Sequence, residues 1–285
     1  MNITILPWGP WCYSHSTPDV YRKWLRFAAA NPNIEGIDLI DKGSPADGDP
    51  LIGSPARVKE SRELLPVMED LGLPVIMFVT HTDFRSETIP PAEQDRIKFL
   101  LEQAVYFKAH YFRVLTGIQS PGELFQPRVM ENVIAGLRWC AALVSKTSLQ
   151  LLLENNRETT DELAHICEVL RPENLRLNCE IKPPFRLGMS PYRFVQRLTE
   201  FSATYHLDNF VYDENGGDGD RTGRRLKREI PLDRGEIDVS RILRIIRDAG
   251  FDGWLSIEYG GYGEGFDDVG QSAAYLRKTW DCLPP

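Results

Sequence analysis

Two spatial periods alternate along the chain. Short runs of apolar and β-branched residues are each followed by roughly 10–20 residues in which apolar positions recur at helical spacing. The short runs are NITIL from Asn2, EGIDLI from Glu35, PVIMFVT from Pro74, YFRVLTG from Tyr111, LQLLLEN from Leu149, LRLNCEI from Leu175, TYHLDNF from Thr204 and GWLSIEY from Gly253, eight in all. Several, such as VIMFV and LLL, are apolar without alternation, which predicts strands covered on both faces.

Between them the helical pattern is explicit. Ile97, Leu100, Leu101 and Ala104 fall on one face of DRIKFLLEQAVYFKA, the i, i+3, i+4, i+7 stripe of a helix lying on a core. In DVSRILRIIRDAG, Asp238 is an N-cap, Ile242, Ile245, Ile246 and Ala249 form the stripe, and Gly250 supplies the left-handed residue that ends it. In SPARVKESRELLPVMEDLG, Pro66 predicts a kink or a fresh start. Eight strands alternating with helices imply right-handed crossovers and a parallel sheet. An open dinucleotide-binding sheet would carry GxGxxG after its first strand, but the chain reads PWGPWCYSHS there. The expected fold is therefore a (β/α)8 TIM barrel, one domain over residues 1–285, with a long loop at about 211–234 after the seventh strand.

Composition narrows the partners. The 285 residues carry 33 basic and 41 acidic side chains, a net charge of −8, which disfavours a nucleic acid partner. No basic-then-apolar leader opens the chain and no apolar run is long enough to span a bilayer, so a cytoplasmic protein without membrane association is expected. Cys12, Cys140, Cys167, Cys179 and Cys282 are odd in number and never form a CxxC pair, which fits a reducing compartment.

In such a barrel the chemistry lies at the C-terminal ends of the strands. Glu154 closes LQLLLE, Glu180 closes LRLNCE, Glu258 closes GWLSIE, and His206 lies in TYHLDNF. A carboxylate ending an apolar strand is poorly solvated and must find a cation, a donor or a proton. One alone is explained as well by a neighbouring Arg or Lys; the four together favour a cage for one divalent ion. Mn2+, Mg2+ or Co2+ suits the oxygen-rich set, whereas Zn2+ would prefer more nitrogen or sulfur. A competing register takes NFVYDEN as strand seven, placing Val211 at the ligand position with only Asp213 or Glu214 nearby.

These segments resemble the xylose isomerase-like TIM barrels, in particular the sugar phosphate isomerase/epimerase family with its ketose 3-epimerases and inosose dehydratases. EGIDLI resembles the second-strand G-x-E-L with Asp38 for Glu, QAVYFKAHYFRVLTG the strand-four motif, and LLLEN the strand-five E-N. RGEIDVSRILRIIRDAGFDGWLSIEYGG is the most specific match. The resemblance implies one divalent metal held by Glu154, Glu180, His206 and Glu258, with Mn2+ first and Mg2+, Co2+ or Zn2+ as alternatives. It also implies that Glu154 and Glu258 act as acid and base. Glu180 stands where the family has Asp, Asp208 where lysine is common, and Pro183 where a histidine often follows strand six.

Trp8 and Trp11, His81, Arg157 and Lys182 lie near strand ends and are candidate substrate contacts. Arg221, Arg224, Arg225, Lys227 and Arg228 cluster in the long loop; they either meet an anionic group or pair with adjacent acids. The implied activity is a metal-dependent isomerase or epimerase acting on a sugar or keto-polyol by proton transfer next to a carbonyl. Two alternatives stay open: a lyase of the same fold, either an inosose-type dehydratase or an eliminase on an oxidised sugar, and a catalytically degraded barrel that binds carbohydrate or a partner. Self-association as a homo-oligomer is compatible with all three.

Overall fold

A computed structural model describes residues 1–9, 17–42, 49–213, 225–260 and 265–283. The described residues form ten strands: β1 Asn2–Leu6, β2 Gly36–Ile40, β3 Val75–Val79, β4 Tyr111–Val114, β5 Gln150–Glu154, β6 Arg176–Glu180, β7 Ser202–Leu207, β8 Phe210–Asp213, β9 Arg225–Glu229 and β10 Trp254–Glu258. Eight close into a parallel barrel in the order β1-β10-β7-β6-β5-β4-β3-β2, each of the eight apolar runs providing one strand. Every residue of β2 and β3 is buried, because parallel strands are covered by the barrel interior on one face and by helices on the other.

NFVYDEN does not enter the barrel. Its β8 pairs antiparallel with β9 to form a two-stranded insertion between β7 and the helix Val239–Asp248. Asn209 fastens the base of this hairpin: its amide donates to the Leu232 and Ile237 carbonyls and accepts from the Ile237 N–H. The competing strand-seven register is thus excluded, and β7 carries His206.

The helices follow local chemistry closely. Asp238 accepts from the Arg241 N–H, and Gly250 has φ +76°. The buried face of Val239–Asp248 runs Val239, Ile242, Leu243 and Ile246. Ala249, expected in that stripe, is exposed because the helix has already ended at Asp248. Around Pro66 the chain forms two helices, Val58–Arg62 and Leu64–Asp70, so the proline sits in a first turn, where no N–H is needed. The helices Pro18–Ala30 and Phe266–Cys282 meet beside the closing strands, where Trp24 packs on Phe266 with ring centroids 4.6 Å apart.

Register positions the polar residues. Thr4, Ser256, His206 and Glu180 are successive partners across β1, β10, β7 and β6, and Glu154 pairs with Asn178. Partners in a parallel ladder project to the same face, so the sheet's alternation aims this set at the barrel axis.

Candidate active site

Glu154, Glu180 and Glu258 are the last residues of β5, β6 and β10. His206, fully buried on β7, brings its Nδ1 to 2.8 Å from Glu154 Oε2 and 3.3 Å from Glu258 Oε2. Neither approach is aligned as a hydrogen bond: both imidazole nitrogens and Glu258 Oε2 are buried without one.

Four residues lie around this point that the sequence did not mark as site residues, Asp38 having been noted there only as the replacement for the strand-two Glu. Arg113 of β4 forms a buried ion pair with Glu154 and donates to the Thr80 carbonyl at 2.7 Å. Asn178 donates to Glu154 Oε2 at 2.5 Å and accepts from Thr204 Oγ1 at 2.7 Å. Asp38 takes hydrogen bonds from Ser256 Oγ at 2.6 Å, the Met77 N–H at 3.0 Å and Thr4 Oγ1 at 3.3 Å, and lies 3.8 Å from His206 Nε2. Glu229 of β9 is the fourth. The signal for Arg113 was present, an arginine inside the apolar run YFRVL; Glu229 lies too far along an irregular loop to be placed by any period.

Asn155 explains the E-N pair. Its amide donates to the Glu180 carbonyl at 2.9 Å and accepts from the Glu180 N–H at 2.8 Å, tying the β5 and β6 ends together. Lys182 pairs with Asp208, lies 3.1 Å from Glu229 Oε1 and stands 3.9 Å from Glu180. Of the other candidates, His81 and Arg157 are not in contact with the cluster, and Trp8 borders it beside Gly260 and Glu229. Half-exposed His81 gives or takes a hydrogen bond at 2.9 Å with Asp41, Arg157 is exposed, and Trp8 follows β1 against Gly260. Trp11, Glu214, Arg221 and Arg224 lie outside the described residues, as do the side chains of Asp213, Arg225, Lys227 and Arg228.

The electrostatics divide the carboxylates. Burial alone would raise both Glu154 and Glu258, but Arg113 and His206 hold Glu154 below its ordinary value. The close approach of His206 and the charges of Lys182, His206 and Arg113 take Glu258 down to about 2. Glu180 goes the other way, pushed well above its ordinary value by burial and by the neighbouring Glu258. Burial would lower His206, yet Glu154 and the acids around it raise it well above an ordinary histidine.

The donor chemistry fits a hard divalent ion. Adjacent ligands of an ion with bonds of about 2.1 Å stand about 3 Å apart, the spacing His206 Nδ1 keeps from Glu154 and Glu258. Its unaligned contacts and the stranded Glu258 oxygen are what an ion would satisfy. Among the described residues no group of three or more His, Cys, Asp or Glu side chains is placed so that it could hold a metal ion in this arrangement; Arg113 and Lys182 supply positive charge there.

Residues 26–279 match the family model described as xylose isomerase-like TIM barrel. No curated protein matches the sequence significantly. Among solved structures, the probable 3-DHS dehydratase AsbF of Bacillus anthracis is 19% identical with a TM-score of 0.72, covering 97% of this chain and 99% of that one. A xylose isomerase-like TIM barrel protein of Mycobacterium smegmatis, in complex with magnesium, is 18% identical with a TM-score of 0.68, covering 98% and 96%. The D-psicose 3-epimerase of Clostridium cellulolyticum H10 is 13% identical with a TM-score of 0.66, covering 99% and 100%.

Proposed function

Starting from the fact that the chain belongs to the xylose isomerase-like TIM barrel family, we propose that it is a divalent-metal-dependent isomerase or epimerase of a sugar or keto-polyol. The observation that carries this reading is the convergence of Glu154 and Glu258, from strands on either side of β7 and β6, on one nitrogen of a buried histidine at the barrel mouth.

Glu154, Glu180, His206 and Glu258 would hold the ion. When bound it supplies a positive charge at the substrate carbonyl, which lowers the barrier to removing the neighbouring proton. The chain's own residues do the rest. Glu154 is ionised and fixed by Arg113 and Asn178, so its carboxylate accepts the substrate proton without first being reoriented. Glu258, also ionised at rest, takes up a solvent proton and delivers it to the opposite face from the other side of the site, giving an epimer; return of the abstracted proton by Glu154 to the adjacent carbon gives an isomer. The buried walls exclude water, which strengthens each of these charged contacts.

Solvent deuterium tests the reading. With Mn2+ and a panel of keto-sugars in D2O, NMR is expected to show deuterium at the carbon next to the carbonyl together with a recoverable epimer or isomer. Glu154→Gln is expected to lower kcat by about 10²-fold or more, the usual worth of a positioned general base. Loss of water from the substrate without an epimer would move the chain to the lyase reading. Exchange-free binding would make it a binding barrel.

A further inference from the structure

The β8–β9 hairpin interrupts the barrel pattern, yet it sends one side chain back to the mouth. Glu229, the last residue of β9, is 9% exposed. It accepts from the Gly260 N–H just beyond β10 and from Lys182 Nζ just beyond β6. A Cβ at Gly260 would run into both the Trp8 ring and the Glu229 carboxylate, so a larger residue there must push these side chains aside.

An ammonium has three N–H donors. Glu229 takes one of those of Lys182, whose side chain is 10% exposed, and Asp208 holds the same nitrogen as a close ion pair. Glu180 at 3.9 Å is beyond hydrogen-bond range. The cation is thus held from two elements with donor capacity left on the side of Glu180, at the edge of the proposed site. Holding a flexible lysine stem in one rotamer is costly in entropy, and two carboxylates from separate elements are what fix it here.

We propose that Glu229 is a positioning residue of this active site: with Asp208 it aims Lys182 at a substrate oxygen, making the hairpin insertion a working part of the catalytic machinery. The inference rests on the isomerase reading above for its substrate, but the clamp can be read without one.

The test uses the full chain loaded with Mn2+ and compares Glu229→Gln, Glu229→Asp and Gly260→Ala, the last displacing Glu229 without changing charge. Reductive methylation with 13C-formaldehyde reports each lysine amine. Lys182 is expected to resist labelling in the parent and to react about tenfold faster in Glu229→Gln and Gly260→Ala, the worth of one charge-assisted hydrogen bond. With the keto-sugar the parent turns over, Glu229→Gln is expected to lower kcat about tenfold with KM within about twofold. Glu229→Asp, which keeps the charge, is expected to recover part of that loss. Unchanged protection of Lys182 in both disrupting variants overturns the clamp. Faster labelling with unchanged kcat reduces Glu229 to a fastening of the hairpin and overturns its role. If no keto-sugar turns over even in the parent, the isomerase reading fails, while the labelling still decides whether Glu229 fixes Lys182.

Discussion

A buried carboxylate is defined by what surrounds it, and Asp41 shows this away from the proposed chemistry. Its side chain is 2% exposed, lies 2.9 Å from His81 Nδ1 and accepts from Arg96 at 2.8 Å, while Arg96 is also held by Glu93. Burial alone would raise its pKa; the His81 hydrogen bond and the Arg96 charge hold it below the ordinary value. A carboxyl depressed on folding stabilises the protein above its unfolded pKa of about 4 and loses that contribution as pH falls through the folded value. Asp41→Asn is therefore expected to cost about 2 kcal/mol at pH 7, since it removes a buried carboxylate that His81 and the partly exposed Arg96 both hold. The deficit should shrink below about pH 4, where the unfolded parent binds the proton that the folded carboxylate excludes until the lower folded pKa. Urea unfolding of both proteins at pH 7 and pH 3 measures this; a deficit independent of pH would contradict the assignment.

Elements here were read well where the controlling interactions are local. The eight strands were legible because each is an apolar run whose ends are marked by a polar residue, and the stripe Ile97, Leu100, Leu101 and Ala104 is buried as its spacing requires. The Thr159 capping box shows how local that control is: Thr159 accepts from the Glu162 N–H, and Glu162 accepts from the Thr159 N–H at 2.7 Å. Glu162 also accepts from the Leu124 N–H at 2.9 Å, linking its helix to the preceding crossover. Thr159→Ala is expected to cost about 1 kcal/mol, visible as a lower midpoint in denaturant with an unchanged slope. The hairpin was missed for the opposite reason. Its two strands are separated by a long connection, and FVYD alone is as strand-like as any barrel segment.

At the scale of the whole molecule, closing the barrel gathers carboxylates at one mouth. Among the described residues, Glu154, Glu180, Glu258, Asp38, Asp208 and Glu229 meet two basic side chains, Arg113 and Lys182, besides His206. A divalent ion bound there would stabilise the folded state by mass action, by about 2.7 kcal/mol at a concentration one hundred times its Kd. Melting with Mn2+ against chelator is expected to rise by several degrees. His206→Ala should abolish the rise without lowering the chelated midpoint as much as a core cavity would, because it also removes a buried group lacking aligned hydrogen bonds. No Mn2+-dependent shift in the parent would count against the proposed metal site.

The sequence by itself determined the barrel and the strand ends at which Glu154, Glu180 and Glu258 sit, because periodicity and covalent order act over a few residues and a parallel strand fixes the direction of every second side chain. It also set His206 on its run, but not which of two registers that run would take. Tertiary structure decided that, by pairing β8 with β9 and leaving β7 to the barrel. It also decided the surroundings: Arg113 against Glu154, Asp38 behind His206, and Glu229 returned from an insertion to Lys182. These contacts join residues tens to more than a hundred positions apart, and only closure of the ring sets their distances.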